Sequence, residues 1–328
     1  MNKEFIKIIL KRILSSLIVL FLLVSFLFVL IRFSPGSPSE KYISPKLSAG
    51  LVKKIQESYS PDNSIITFYK NFVVNLVEGN LGISYNYRMP VTSVISNYLP
   101  FTVCFALTSF IIQIIFSFWL ALIAVRNKNG GTDKFISYAS LVVYSIPSFV
   151  IGVMLIFFFT GLFKIFPSSG LKSFDFDTYT LWGKFLDYAE HLILPLITLS
   201  ASGIAVFYRY LRENLEDVYN QTFVTNLRSY GVSEREITFR HIIPNAISPV
   251  ISIAGVELGF LLSGTLITEV IFGLPGMGRL TVDAIFSRDY PLVIGCSFVV
   301  AVLVISSNFL ADLIKALIDK RVLKEILN

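Results

Sequence analysis

Residues 229–250 read "SYGVSEREITFRHIIPNAISPV", and the reading of this stretch decides that of the whole chain. It lies between two long apolar runs. It carries Glu234, Arg235, Glu236, Arg240 and His241, and it places a glycine, a serine and a proline where each shapes a backbone. Just upstream, "YNQTFVTNLRSY" sets Tyr219, Phe223, Leu227 and Tyr230 on one side of a helix, with Asn220, Thr225 and Ser229 elsewhere. Gly231 is then the natural left-handed residue past the helix end, with Val232 behind it for an apolar contact. Ser233 and Glu236 have the spacing of a capping box, which opens a second helix at once. Pro244 limits how far that helix runs undisturbed. The pattern is a polar hook over residues 219–246: helix, glycine bend, helix.

The surroundings are those of a membrane protein. Of 328 residues, 54% are hydrophobic and only 15% charged, and the mean hydropathy is +0.70. A water-soluble domain of this size needs more polar surface. The apolar residues fall in six blocks, Ile13–Ile31, Phe101–Val125, Phe135–Phe163, Leu192–Tyr208, Ile247–Thr268 and Leu292–Ile318. Each is long enough for a helix to cross a bilayer, which takes about 20 residues. The leading "MNKEFIKIILKR" looks like the start of a signal peptide, but the run after it is too long and lacks a small-x-small cleavage site, so it is expected to stay as a helix.

Orientation follows from the basic residues. Sixteen of the 28 Lys and Arg fall in segments 1–12, 126–134, 209–246 and 315–328, and eleven in the longer segments 33–100, 164–191 and 269–291. The denser side is cytoplasmic, so both termini and the hook point inward. Segment 33–100 is too long for a turn. Ser44 and Pro45 ahead of Leu47, Leu51, Ile55 and Tyr59 predict a helix within it, hence a small extracellular subdomain. Pro147 is expected to kink the third span. Gly255, Gly259 and Ser263 form a small-xxx-small face on the fifth, suited either to packing within the chain or to a subunit interface.

Other chemistries find little support. Cys104 and Cys296 lie in apolar blocks, and His191 and His241 are far apart, so neither a disulfide framework nor a metal site is indicated. The dispersed basic residues do not form a nucleic-acid face. No catalytic residues are assigned. An intramembrane enzyme built on Ser263 has no histidine within a span to act as base. An ion-coupled secondary transporter would carry several acids within its spans. Only Glu257 sits well inside one, with Asp312 toward the end of the last. A charge at mid-span costs about 2.5–3.5 kcal/mol, so Glu257 either lines a solute pathway or is a packing residue facing the bundle. The aromatic stripe of the hook likewise has two readings: it packs on the protein's own helices or the lipid interface, or it lies in a groove of a cytoplasmic partner.

The residues resemble a known family. Thr225, Asn226 and Leu227 occupy the E-A-A positions of the EAA loop of importer-type ABC permeases, with Gly231 at the glycine and Ile243-Pro244 at the terminal Leu-Pro. "RHIIPNAISPV" is similar to the version in dipeptide and oligopeptide permeases. So are "FVLIRFSPGSP", "EGNLGISYNYRMPVTSVISNYLPFT", "IPSFVIGV", "FPSSG" and "EVIFGLPGMGRLTVDAIFSRDYPLVIG", in the right order along the chain. The chain thus resembles the B-type permease subunit of dipeptide, oligopeptide or nickel ABC transporters. Leu227 and Tyr230 are bulkier than the family's residues there, and Glu257 stands where a neutral residue is expected.

The resemblance implies an all-α polytopic fold of the type I ABC importer permease, with six transmembrane helices and both termini cytoplasmic, in a bacterial plasma membrane. It divides the chain into a first helix with its extracellular subdomain (1–93), a permease core (94–318) and a cytoplasmic tail (319–328). It implies a second homologous permease subunit, two cytoplasmic ABC ATPase subunits and an extracellular solute-binding lipoprotein. ATP and Mg would sit on the ATPases, since "WGKF" at 182–185 is no phosphate-binding loop. The residues implied to meet the ATPase are Tyr219, Phe223, Asn226, Leu227, Arg228, Gly231, Ser233, Glu236, Arg240 and Pro244, with Glu257 the pathway candidate. Peptide and nickel complexes both remain open as solutes.

Overall fold

The computed structural model describes residues 3–32 and 65–318. The helices are α1 (Lys3–Arg32), α2 (Ile65–Val77), α3 (Val91–Arg126), α4 (Gly131–Ser145) and α5 (Ser148–Leu155), the last continued by a π-helical stretch, Ile156–Leu162. Then come α6 (Leu181–Tyr219), α7 (Thr222–Ser229) and the single turn α8 (Glu234–Glu236). A second π-helical stretch, Ile237–Ile242, joins α8 to α9 (Ile243–Ile271), and α10 (Met277–Ser287) and α11 (Tyr290–Ile318) complete the fold. Among the described residues the one extended pairing is an isolated bridge between Ile83 and Pro90. The helix expected at 44–59 and the tail 319–328 lie outside the described residues. α2 was not legible in the sequence. Its Tyr69 reaches α1, with the hydroxyl 2.5 Å from that of Ser25 and the ring edge-on to Phe21 and Phe28.

Among the described residues five helices are long and apolar enough to cross a membrane, or six spans if α4 and α5 count as one broken span. This pair corrects the expectation of a kinked third helix. α4 and the α5 helix with its π extension meet at 99°. Pro147 has no N–H to continue the ladder, and it forces Ile146 into the extended region at φ −89°, ψ 125°. The second and fourth of the expected spans outrun their apolar blocks, as α3 starts at Val91 and α6 at Leu181. Thr180 caps α6 by accepting a hydrogen bond from the Gly183 amide at 3.2 Å. With 39 residues, α6 is about 58 Å long against a hydrocarbon core of about 30 Å, so its charged last turns carry the chain well past the apolar zone.

Polar contacts sort the helix ends into two groups. At one end Arg12 of α1 pairs with Asp312 of α11 at 3.0 Å. Arg212 of α6 pairs with Asp133 at the start of α4, and Lys128 between α3 and α4 with Glu216 of α6. At the other end Glu269 of α9 accepts from Thr102 of α3 at 2.8 Å, and Ser84 donates to Asp289 just before α11. There the Gly170 amide, past the broken pair, donates to the Phe272 carbonyl at 2.8 Å. The α4–α5 pair therefore starts at one group of ends and finishes at the other.

Small residues set the closest helix approaches. A Cβ on Gly255 would land on Ala311 of α11, and one on Gly259 would lie 3.3 Å from Ser307 and Val304. The small-residue face thus packs within the chain at both glycines, while Ser263 is exposed. Between α3 and α6, a Cβ on Gly203 would overlap the side chain of Gln113, which is fully buried and donates to the Leu199 carbonyl.

Candidate functional site

The hook forms as the sequence predicts. α7 ends at Ser229 with Tyr230 as its cap, and Gly231 takes φ +78°. The Gly231 amide donates to the Arg228 carbonyl at 3.0 Å and the Val232 amide to the Leu227 carbonyl at 3.1 Å, the two bonds of a Schellman ending. Val232 and Leu227 pack on the same apolar cluster. The Glu236 amide then donates to Ser233 Oγ at 3.3 Å. The return half of the capping box is replaced, since the Glu236 carboxylate lies 3.3 Å from Arg240 instead.

An ion pair clamps the bend. Arg228 Nε donates to Glu234 Oε1 at 2.5 Å, and Nη2 to Oε2 at 3.3 Å. The guanidinium hydrogen bond holds the Glu234 carboxyl below its usual range. The same guanidinium lies 5.8 Å from the Tyr219 ring, and the Tyr219 hydroxyl is 2.7 Å from Thr238 Oγ1. The hook is therefore tied across its mouth and at its base.

Burial settles which way the aromatic stripe faces. Tyr219, Phe223 and Leu227 pack against the chain's own cluster, which includes Leu215, Val224, Ile237 and Ile242. They attach the hook to α6 and α9, so for these three the packing reading holds and they do not form the outward face. Tyr230, at 82% exposure, and Phe239, at 52%, are the large apolar side chains left outside. Asn226, Ser233, Arg240 and Pro244 are exposed as well. Beside Phe239 a shallow cavity of about 380 Å³ is lined by Ser233, Arg235 and Glu236.

Pro244 does not stop the second helix. The π-helical stretch Ile237–Ile242 directly precedes α9, and Pro244 sits in the first turn of α9, where a missing N–H is tolerated. The second arm of the hook is thereby continuous with α9. The structure brings the ten hook residues together but not Glu257, which lies about 20 Å further along α9.

Three carboxylates that the sequence reading passed over organise the rest. Asp133, 3% exposed, receives Nε and Nη2 of Arg212, each at 2.8 Å, and the Asn129 amide at 3.0 Å. Glu269 is fully buried and accepts from Thr102 Oγ1 and the Arg279 amide. Asp289, also fully buried, accepts from Ser84 Oγ and the Asn86 amide. The available signal for Glu269 was its place at the end of an apolar run, before the glycines of "FGLPGMGR". A Cβ on Gly276 would land on its carboxylate.

Long apolar helices, a broken span and a clamped polar hook continuous with the fifth helix define a polytopic membrane permease. Residues 113–324 match the family described as the binding-protein-dependent transport system inner membrane component, and residues 5–106 match its membrane-component N-terminal model. The chain belongs to this family, and it is a multi-pass protein of the cell membrane.

The chain is 30% identical over 315 residues to the oligopeptide transport system permease protein AppB of Bacillus subtilis, covering 96% of this chain and 98% of that one. It is 31% identical over 319 residues to the nickel import system permease protein NikB of Staphylococcus aureus, covering 96% and 92%. The dipeptide, oligopeptide and nickel permease resemblance read in the sequence thus stands, and the ion-coupled and enzymatic alternatives fall. Two solved structures share the fold. One is an amino acid ABC transporter with histidines (TM-score 0.51, 17% identity, 68% of this chain and 94% of that one). The other is the inward-facing MetNI methionine ABC transporter (TM-score 0.52, 13% identity, 72% and 97%).

Proposed function

We propose that this chain is one of two homologous permease subunits of an ATP-driven importer that carries di- or oligopeptides into the cell. An extracellular solute-binding lipoprotein delivers the solute, and two cytoplasmic ATPase subunits hold the ATP and Mg. The observation that carries this reading is the continuity of the hook with α9. A partner that grips the exposed Tyr230 and Phe239 and moves them tilts a rod that runs through the whole span. In this reading Arg228, Glu234 and the Gly231 bend keep the hook in shape, and Asn226, Ser233, Glu236, Arg240 and Pro244 frame the docking face.

The chain crosses the membrane six times in this proposal, with both termini cytoplasmic. The asymmetry of basic residues supports it. So do the Arg12–Asp312 pair, which puts the start of α1 beside the end of α11, and the passage of α4–α5 from one group of ends to the other. In a variant lacking Cys104 and Cys296, a cysteine at Lys172 should be labelled from outside intact cells and one at Arg228 should not. The reverse result overturns the topology.

A cysteine at Tyr230 should crosslink to the ATPase in membranes containing the full complex, and failure at both Tyr230 and Phe239 rejects the docking face. The similarity to NikB favours a second reading, in which the solute is nickel or a nickel complex. Uptake of labelled tripeptides against that of nickel by the reconstituted complex separates the two.

A further inference from the structure

The other buried or span-embedded carboxylates all have partners. Asp133 is met by Arg212, Asp187 by the Ser173 amide and hydroxyl, and Glu269 by Thr102 and the Arg279 amide. Asp289 is met by Ser84 and Asp312 by Arg12. Glu257, in the middle of α9, is different: no side chain or amide among the described residues bonds to it or pairs with it.

Its place on the helix explains why. Successive residues turn by 100°, so Glu257 is about 200° from Gly255 and faces away from the close contact with Ala311 of α11. The small-residue seam therefore does not bury it. On its other flank runs a row left uncovered by the chain, Pro249, Val256, Phe260, Ser263, Ile267 and Val270, with Phe260 at 66% exposure. Glu257 is half-buried at the margin of this row, one residue from Val256 and one turn from Phe260. An ionised carboxylate at this depth is costly unless a positive group meets it, and none of the described residues supplies one.

We infer that Glu257 is a specificity-determining residue that meets a positive charge on the solute as it passes between the two permease subunits. This rests on the import reading above and narrows its solute class to solutes with a positive charge beyond a peptide's own terminal ammonium: a peptide with a basic side chain, or a metal-bearing complex. The uncovered row provides an apolar wall beside the carboxylate, and the opposite charge is left for the solute to bring.

The test uses the complete transporter in proteoliposomes, with trialanine, a lysine-containing tripeptide, a glutamate-containing tripeptide and nickel as probes. Glu257→Gln should lower the ratio of lysine-peptide to alanine-peptide uptake about tenfold, the size expected when one charge–charge contact of about 1.4 kcal/mol is lost. Glu257→Asp should restore most of that ratio. A selective fall in nickel uptake instead assigns the cation to the metal. Equal changes for all probes overturn the inference. So does loss of the partner permease from the purified Glu257→Gln complex with normal yield for Glu257→Asp, because the carboxylate then pairs with the partner. A wild-type complex that moves neither peptides nor nickel overturns the import reading itself, and the inference with it.

Discussion

Asp133 and Arg212 form a bidentate ion pair, with Nε–Oδ1 and Nη2–Oδ2 both at 2.8 Å, where the turn between α3 and α4 meets the last turns of α6. Glu216 adds a second carboxylate at 3.2 Å from Arg212 and also holds Lys128 at 2.9 Å. This network fixes the base from which the hook departs. Removing Asp133 leaves the partly exposed Arg212 with Glu216 alone, so the cost stays below the roughly 3–5 kcal/mol of breaking a fully buried pair. Asp133→Asn should therefore lower the thermal unfolding temperature of the purified complex. A double variant with Arg212→Gln should lose clearly less than the sum of the single changes, and additivity would show that the two side chains act separately.

Gly231 tests the bend alone. A side chain there meets nothing within 4 Å, so Gly231→Val acts through the positive φ, at about 1–2 kcal/mol. Gly231→Asn should cost less, because Asn tolerates that region. The amount of ATPase that co-purifies with the permease should fall in the order wild type, Asn, Val. Equal amounts in all three would reject a coupling role for the hook.

The Arg228–Glu234 clamp predicts a pH response with a definite sign. The folded hook holds the Glu234 carboxyl below its ordinary value of 4.5. The clamp's contribution is thus fully present above pH 4.5 and is lost as the pH falls through the lowered value. Both side chains are substantially exposed, so the effect is small and shrinks with salt. Hydrogen exchange at the Val232 amide, corrected for its intrinsic pH dependence, should accelerate below pH 4.5 in the wild type. Glu234→Gln should show the faster exchange already at neutral pH, and identical profiles would dismiss the clamp.

Gly276 tests the far end of the fold. Gly276→Ala places a methyl on the Glu269 carboxylate and should push it from Thr102 and the Arg279 amide. Trypsin should then cut at Arg279 faster than in the wild type. Gly131→Ala, where a Cβ meets open space, serves as the control and should cut at the wild-type rate.

Much of this protein was legible from local rules. Apolar blocks marked the spans, because a helix in lipid satisfies its own backbone and advertises itself by composition. The hook was legible down to the φ of Gly231, because a helix end and a cap are set by residues a few positions apart. The α4–α5 break was only half legible. A proline announces that the ladder stops, but whether the chain kinks or turns through 99° depends on neighbours such as Thr198 and Phe272, which crowd Gly152.

Direction and pairing needed the tertiary structure. Periodicity placed Tyr219, Phe223 and Leu227 on one face, but which surface covers that face is decided by where α6 and α9 lie. The partners of Asp133, Glu269, Asp289 and Asp312 come from distant parts of the chain, so local spacing carries no trace of them. The same holds for Glu257: its sequence showed a charge in an apolar run, and only the packed helices showed that no group among the described residues meets it, because a missing partner is a property of the assembled surroundings and not of the residue.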